Sequence, residues 1–384
     1  MRAEMGVSPE CFKQLVAALR RDAHLTDSRR VTLEEQTGFL LAFSGNGVHM
    51  TCLADMYGYS LSTINTLFDA ICTSSLYSDY VDKRELVRDS SNVLLSNPKV
   101  RGYFGDDCAG VVKGAQVNWK PHGDDPDKWR KGYSRPTSNM MTVCTFDQRF
   151  GPIFAGTPGT VPDQQVLDLW REEGFQAPQG EYYLGGSGLT MAKDVMPPYS
   201  RARYILSDWC PDPYGPDHVD TPMPPQNKKE LFNLRHAGLC HNVDRLVYVA
   251  KRPFQWFEVA KRDYDHKMQK QILTVSAFLF NFINISEIGH RDYRYKPPYT
   301  DPSRDNLRWK MDELTRMAGC RSSGHGFSSN PSPPVDRVNM PEQTRAERSA
   351  MRKKRDEIAD RMWADYQAYV RADGAGRRSY GSCR

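Results

Sequence analysis

The groups best able to do chemistry in this sequence are dispersed, not gathered in one short motif. The stretch Lys128-Trp129-Arg130-Lys131-Gly132-Tyr133 interleaves bases with aromatics, a mixture in which cations could track a phosphate backbone while rings stack on bases. It is equally compatible with an exposed hairpin loop. His236, inside a helical pattern, could position a phosphate or be a core histidine with internal hydrogen bonds. Gly185, Gly186 and Gly188 suggest a phosphate-cradling loop, but no Lys-Ser or Lys-Thr follows them, which argues against a P-loop. The nine cysteines lie far apart, from Cys11 to Cys383, with no C-x-x-C. Neither a zinc ribbon nor a disulfide framework is encoded, and a reduced, intracellular setting is expected.

The elements that must position such groups begin with helices. Cys11-Phe12, Leu15-Val16 and Leu19 recur at helical spacing behind Ser8 as N-cap, and Thr32 with Glu35 forms a capping box for the next helix. The segment TCLADMYGYSLSTINTLFDAI has the outline of a helix-turn-helix. It turns at Gly58, starts its second helix at Ser60, and buries Leu61, Ile64, Leu67, Phe68 and Ile71. The outward face then carries Ser62, Thr63, Asn65, Thr66 and Asp69. Ser62, Thr63 and Asn65 are the candidates for contacting base edges, yet no Lys or Arg stands beside them to anchor phosphates. The same outline fits a structural three-helix unit. An all-α domain over 1–100 is expected.

From Asp107 the texture changes to strands, CAGVVKGAQV, NMMTVCTF and GPIFAGT, the last two joined by a turn over 147–150. A helix over 161–173, short strands at EYYLGG and RYILS, and helices over 226–250 and 255–284 follow by periodicity. The prolines of SDWCPDPYGPDHVDTPMPPQ mark a long inserted loop, about 197–226. The fold class is α/β, a mixed sheet flanked by helices over 101–287. A Pro/Ser/Gly-rich linker (288–340), a basic amphipathic helix (341–370) and a disordered tail (371–384) complete the chain. In that helix Arg345, Arg348, Arg352, Lys353, Lys354 and Arg355 precede Ile358, Met362, Trp363 and Tyr366. Arg352, Lys353 and Lys354 are candidate DNA contacts or nuclear-import determinants, or else a solvated face paired with Glu347, Asp356, Glu357 and Asp360.

Composition narrows the class. With 39% hydrophobic and 26% charged residues the chain reads as globular, and a net charge of +5 leaves partner choice to local patches. The most apolar run, Ile272 to Ile285, is interrupted by Ser276, Asn281 and Asn284, and the N-terminus MRAEMGVSPECF has no apolar signal core. A soluble protein of nucleus or cytoplasm, neither secreted nor in a membrane, is expected.

Four further stretches carry a family resemblance: Asp107-Cys108-Ala109-Gly110-Val111-Val112-Lys113-Gly114-Ala115-Gln116; Ala155-Gly156-Thr157-Pro158-Gly159-Thr160-Val161-Pro162-Asp163-Gln164; Leu184-Gly185-Gly186-Ser187-Gly188-Leu189; and the helix from Glu230-Leu231-Phe232-Asn233-Leu234-Arg235-His236 through Asp244-Arg245 to Lys251. In this order they resemble the Harbinger-type DDE superfamily transposases and the nucleases derived from them, as does Phe280-Asn281-Phe282-Ile283 at the end of a long apolar helix. The resemblance implies an RNase H-like nuclease core that cleaves phosphodiester bonds with divalent Mg or Mn. Two such ions, roughly 3.5–4 Å apart, clamp the attacking and leaving oxygens and require oxygen ligands. It also implies DNA as substrate and a separate DNA-binding protein as partner.

Carried over residue by residue, the resemblance leaves Asp163 and Asp244 as catalytic and metal-binding acids. Lys113 stands where the family has Asp, Gly186 where it has Asp, and Cys240 where it has Arg one turn before Asp244. Asp107 cannot substitute, because six residues of strand at about 3.3 Å each put it roughly 20 Å from Lys113. The expectation is a nuclease fold without nuclease activity. The Lys113 ammonium either takes the place of the metal's charge beside Asp163 and Asp244 or snorkels to solvent from an unconstrained cleft. The alternatives are a working metal-dependent endonuclease that recruits a third acid, such as Asp194 or Asp208, and a non-enzymatic nuclear interaction module.

Overall fold

The computed structural model describes residues 6–28, 31–46, 50–82, 102–104, 107–130, 135–146, 149–204, 224–251, 264–287 and 342–380. The chain forms two interleaved units, one of 1–89, 112–175 and 242–296, the other of 90–111, 176–241 and 297–384. β1 (Cys108–Asn118) and α6 (Lys228–Lys251) each run through both units. The five-stranded sheet has the order β3-β2-β1-β4-β5.

In the first unit, α1 (Pro9–Asp22) starts as its caps dictate: the Ser8 hydroxyl accepts from the Cys11 amide at 3.2 Å, and Cys11, Leu15, Val16 and Leu19 are buried. The capping box of α2 (Leu33–Asn46) is reciprocal. Thr32 N donates to Glu35 Oε2 at 2.8 Å, and Glu35 N donates to Thr32 Oγ1 at 3.2 Å. Helices α3 (Met50–Tyr57) and α4 (Leu61–Thr73) are joined through Gly58, whose φ of 70° is costly for any residue with a Cβ. Leu67, Phe68 and Ile71 of α4 are buried, with the Phe68 ring edge-on to Phe43 at 5.3 Å.

Strand β2 (Thr137–Cys144) is buried at every position and pairs antiparallel with β3 (Phe150–Pro158), from Ser138 opposite Pro158 to Cys144 opposite Phe150. Helix α5 (Asp163–Glu172) follows β3 and buries Val166, Leu167 and Trp170. Helix α7 (His266–Ser286) is capped by Asp265, whose carboxylate accepts from Met268 N at 2.7 Å. It starts later than the sequence pattern suggested, and 252–263 lie outside the described residues.

The polar residues that break the α7 apolar run have structural work to do. Asn281, fully buried, accepts from Phe150 N at 2.9 Å and donates to Phe150 O at 2.7 Å and Tyr80 O at 2.9 Å. One side-chain amide thus supplies β3 with the two bonds that a neighbouring strand would give.

In the second unit, β4 (Tyr182–Gly185) and β5 (Val195–Met196) are parallel. Arg203 and Tyr204 are not in a strand, because the Arg203 guanidinium turns to Glu230 at 2.6 Å and its carbonyl accepts from Asn233 Nδ2 at 3.1 Å; 205–207 lie outside the described residues. Glu230 also accepts from Gln226 N at 2.8 Å, closing the first turn of α6. Helix α8 (Glu342–Tyr380) extends ten residues beyond the end expected at 370. The linker 288–340, most of the insertion 205–223 and the last residues 381–384 lie outside the described residues. No described helix is long and apolar enough to cross a membrane.

Two stability measurements follow. Asn281→Leu strands the Phe150 amide and the Phe150 and Tyr80 carbonyls, so it should lower unfolding free energy by about 3 kcal/mol in urea titration; a change under about 0.5 kcal/mol would contradict this role. The Arg203 guanidinium, followed by the Gln226 amide, holds the Glu230 carboxyl below its usual 4.5. The stability it contributes is present above that value and is lost as pH falls through the lowered one. Glu230→Gln should therefore unfold about 1–2 kcal/mol more easily at neutral pH, with the gap closing as pH falls through the lowered pKa of the carboxyl.

Candidate active site

Lys113 and Asp244 meet. Lys113 is the sixth residue of β1 and Asp244 lies seven residues before the end of α6; their side chains pair with Nζ 2.6 Å from Oδ2. The pair is largely shielded, with side-chain exposures of 27% and 17%. Shielding of this kind makes the bond electrostatically stronger and makes removal of either partner costly, because the other is left as an uncompensated charge.

Asp163 reaches the same strand differently. A Cβ built on Gly114 would meet Asp163 Oδ1 at 2.6 Å and Cγ at 2.8 Å, so the carboxylate packs directly on the bare backbone of Gly114. Successive residues of a strand point to opposite faces, so Gly114 presents to Asp163 the face opposite to that from which Lys113 departs. Gln116, on the Gly114 face by the same alternation, donates to Gly159 O at 3.0 Å. The loop carrying Asp163 therefore approaches β1 from the face away from the Lys113 side chain's origin. The structure thus brings Lys113 to Asp244, and Asp163 to Gly114.

The loop from β3 to α5 is held by groups that the sequence did not single out. Gly159 N donates to Thr137 O at 2.7 Å, Asn139 Nδ2 donates to Val161 O at 2.5 Å, and Thr137 Oγ1 donates to Gln116 Oε1 at 3.2 Å. Gly156 turns the chain with φ of 96° and leaves room for the Lys270 stem. Pro162 then leads into α5 with Asp163 as its first residue. A carboxylate there complements the positive end of the helix. The available signal was the polar run Thr137-Ser138-Asn139 at the start of a buried strand, since buried polar side chains in a sheet are almost always bonded.

These residues do not fit a two-metal centre. Metal ligation by Asp244 would compete with an ammonium already bonded to one of its oxygens, and the position expected to carry another ligand is Gly186, which has no side chain. Among the described residues no group of three or more His, Cys, Asp and Glu could hold a metal ion. Of the proposed third acids, Asp194 is buried and Asp208 lies outside the described residues.

The other candidates fall apart into separate places. His236 is fully buried, with Nε2 3.0 Å from Met196 O and Nδ1 3.5 Å from both Tyr204 Oη and Cys240 Sγ. A carbonyl can only accept, so Nε2 carries the proton and Nδ1 faces the hydroxyl and thiol; this is a core histidine. Trp129 is buried and stacks on Trp119 at 5.7 Å, with His266 edge-on to both. It offers no free face to a base. Lys128 is exposed, and 131–134 lie outside the described residues.

Ser62 and Asn65 are exposed on α4, with Ser62 Oγ 2.8 Å from Ser60 Oγ, while the Thr63 side chain lies outside the described residues. Arg352 and Lys353 are exposed on α8, Lys353 4.0 Å from Glu357 in the same helix. Lys354 turns inward to pair with Asp107 and lies 4.4 Å from the centre of the Tyr182 ring.

Two family models match the chain. Residues 1–76 match the model described as a domain of unknown function (DUF8040), and residues 119–281 match that of the DDE superfamily endonuclease. No curated protein and no solved structure matches. The second match contains Asp163 and Asp244 and begins six residues after Lys113. Residues 119–281 carry a DDE superfamily endonuclease domain.

Proposed function

We propose that this domain is of the Harbinger type and no longer cleaves phosphodiester bonds, being retained as a scaffold that binds DNA or a protein partner. The observation that carries the reading is the Lys113 ammonium 2.6 Å from Asp244. In a working centre of this family that carboxylate faces a cation that binds and leaves. Here the cation is covalently part of strand β1, and it cannot act as a Lewis acid or hold a hydroxide for attack. Gly186 removes a further ligand, and loss of single members of a catalytic unit commonly costs orders of magnitude in rate. Asp163, packed on Gly114 at the start of α5, serves in this reading as a structural carboxylate that complements a helix end.

The test is paired. Incubated with supercoiled plasmid and Mg²⁺ or Mn²⁺, the protein is expected to give no more nicked circle than buffer alone; nicking abolished by Asp244→Ala or Asp163→Ala would overturn the reading. In calorimetry with Mn²⁺ alone, Lys113→Asp should gain at least about tenfold in affinity by exchanging the fixed cation for a carboxylate beside Asp244. Unchanged affinity in that variant would show that Lys113 does not stand in for the metal.

A further inference from the structure

The face that α8 turns toward its own unit is unusually cationic. Among the described residues, its buried apolar side chains are Met351, Ile358, Ala359 and Met362. Between and around them lie Lys354, paired with Asp107 over the Tyr182 ring, and Arg355, stacked 3.9 Å from the Tyr199 ring centre and donating to Pro197 O and Pro198 O at 3.0 and 3.1 Å. Arg361 donates to Tyr103 O at 2.9 Å. Further ties are ionic or polar: Lys228 to Asp360 at 2.6 Å, Lys193 to Glu347 at 3.8 Å, and the Tyr199 and Tyr103 hydroxyls to Asp356 and Asp365, each at 2.5 Å.

This attachment is incompletely satisfied. The Nε atoms of Arg348 and Arg355 are buried with no hydrogen-bond partner, a state that costs free energy which water or an anion would recover. An open groove of about 640 Å³ runs beside the helix, lined by Tyr103, Phe104, Asp107, Lys354, Ile358 and Arg361 and by the acids Glu357 and Asp360. Six cations, Arg345, Arg348, Arg352, Lys353, Lys354 and Arg355, stand within eleven residues against the single acid Glu347. Docking turns Arg348, Lys354 and Arg355 partly inward and leaves Arg345, Arg352 and Lys353 exposed.

We propose that α8 is a releasable strap: docked, it holds Arg348, Lys354 and Arg355, half of its six clustered bases, against its own unit, and released, it offers all six to the phosphates of duplex nucleic acid. The partner rests on the scaffold reading above; the ionic attachment of the strap does not. Screening loosens ion pairs and cation–π contacts more than it loosens apolar ones. A duplex competes with Asp107 and the Tyr199 ring for the same cations, and its apparent affinity scales with the fraction of strap released.

The experiment uses the full chain. Amide hydrogen exchange of residues 351–362 should accelerate about fivefold or more as NaCl rises from about 50 mM to about 500 mM; exchange indifferent to salt would overturn the proposal. At fixed low salt, Asp107→Asn should bind a mixed-sequence duplex of about 20 base pairs about fivefold tighter than the wild type. Glu357→Gln is the control. It removes the same charge nearer the basic segment, but its carboxylate pairs with Lys353 inside the helix, so a gain within about twofold is expected. Adding Arg355→Gln to Asp107→Asn should erase the gain. Equal gains from Asp107→Asn and Glu357→Gln would sink the strap as a mask. Salt-accelerated exchange with no duplex binding by any variant would sink its nucleic-acid role, while leaving the loss of cleavage to be judged by the nicking assay alone.

Discussion

The pleat of one strand organises this site. β1 exposes Lys113 on one face and the bare backbone of Gly114 on the other, and each meets a carboxylate, Asp244 and Asp163 respectively. Adjacent residues of a strand leave it on opposite faces, so the two acids that the sequence groups together approach β1 by different routes, Asp244 to the Lys113 side chain and Asp163 to the Gly114 backbone. The helix and loop bearing those acids are fixed in turn: α6 by its capped first turn at Glu230, the loop by Gln116, Thr137 and Asn139. A lysine in such a position meets the Coulomb demand of Asp244 without exchange of ions, which is the basis of the proposed loss of cleavage.

Much of the fold was legible from local rules. Ser8, Thr32 with Glu35, and the buried spacing of α1 fixed the first helices because capping and amphipathic periodicity act within a few residues. The apolar runs at Val111–Val112, Met140–Met141 and Phe154–Ala155 marked the three long strands for the same reason. Short elements were less visible, since β5 spans two residues and depends wholly on its neighbour β4. Arg203 and Tyr204 have β-like texture, but the side chains of Glu230 and Asn233 capture the segment first.

The site was legible in residue type and opaque in facing. Motif order gave Asp163 and Asp244 as acids and Lys113 as the odd residue, yet nothing in a linear pattern says that a glycine next to Lys113 will receive the other carboxylate from the far side. The same limit applies to α8. Its bases read as nucleic-acid contacts or as a solvated stripe, whereas Lys354 and Arg355 lie against Tyr182 and Tyr199. Long side chains carry charge inward along apolar stems, and only the partners' positions reveal it. Asn281 belongs to the same class, an interruption in an apolar run that closes the hydrogen bonds of β3.

The most direct test of the central claim, that Lys113 and Asp244 form one coupled internal pair, is a double-mutant cycle of Lys113→Met and Asp244→Asn in urea unfolding. Each single change leaves one partly buried charge without its partner, whereas the double change removes both. A coupling energy of about 1–3 kcal/mol is expected, with the double variant more stable than the sum of the singles predicts. Single effects that add to within about 0.5 kcal/mol would contradict the pair.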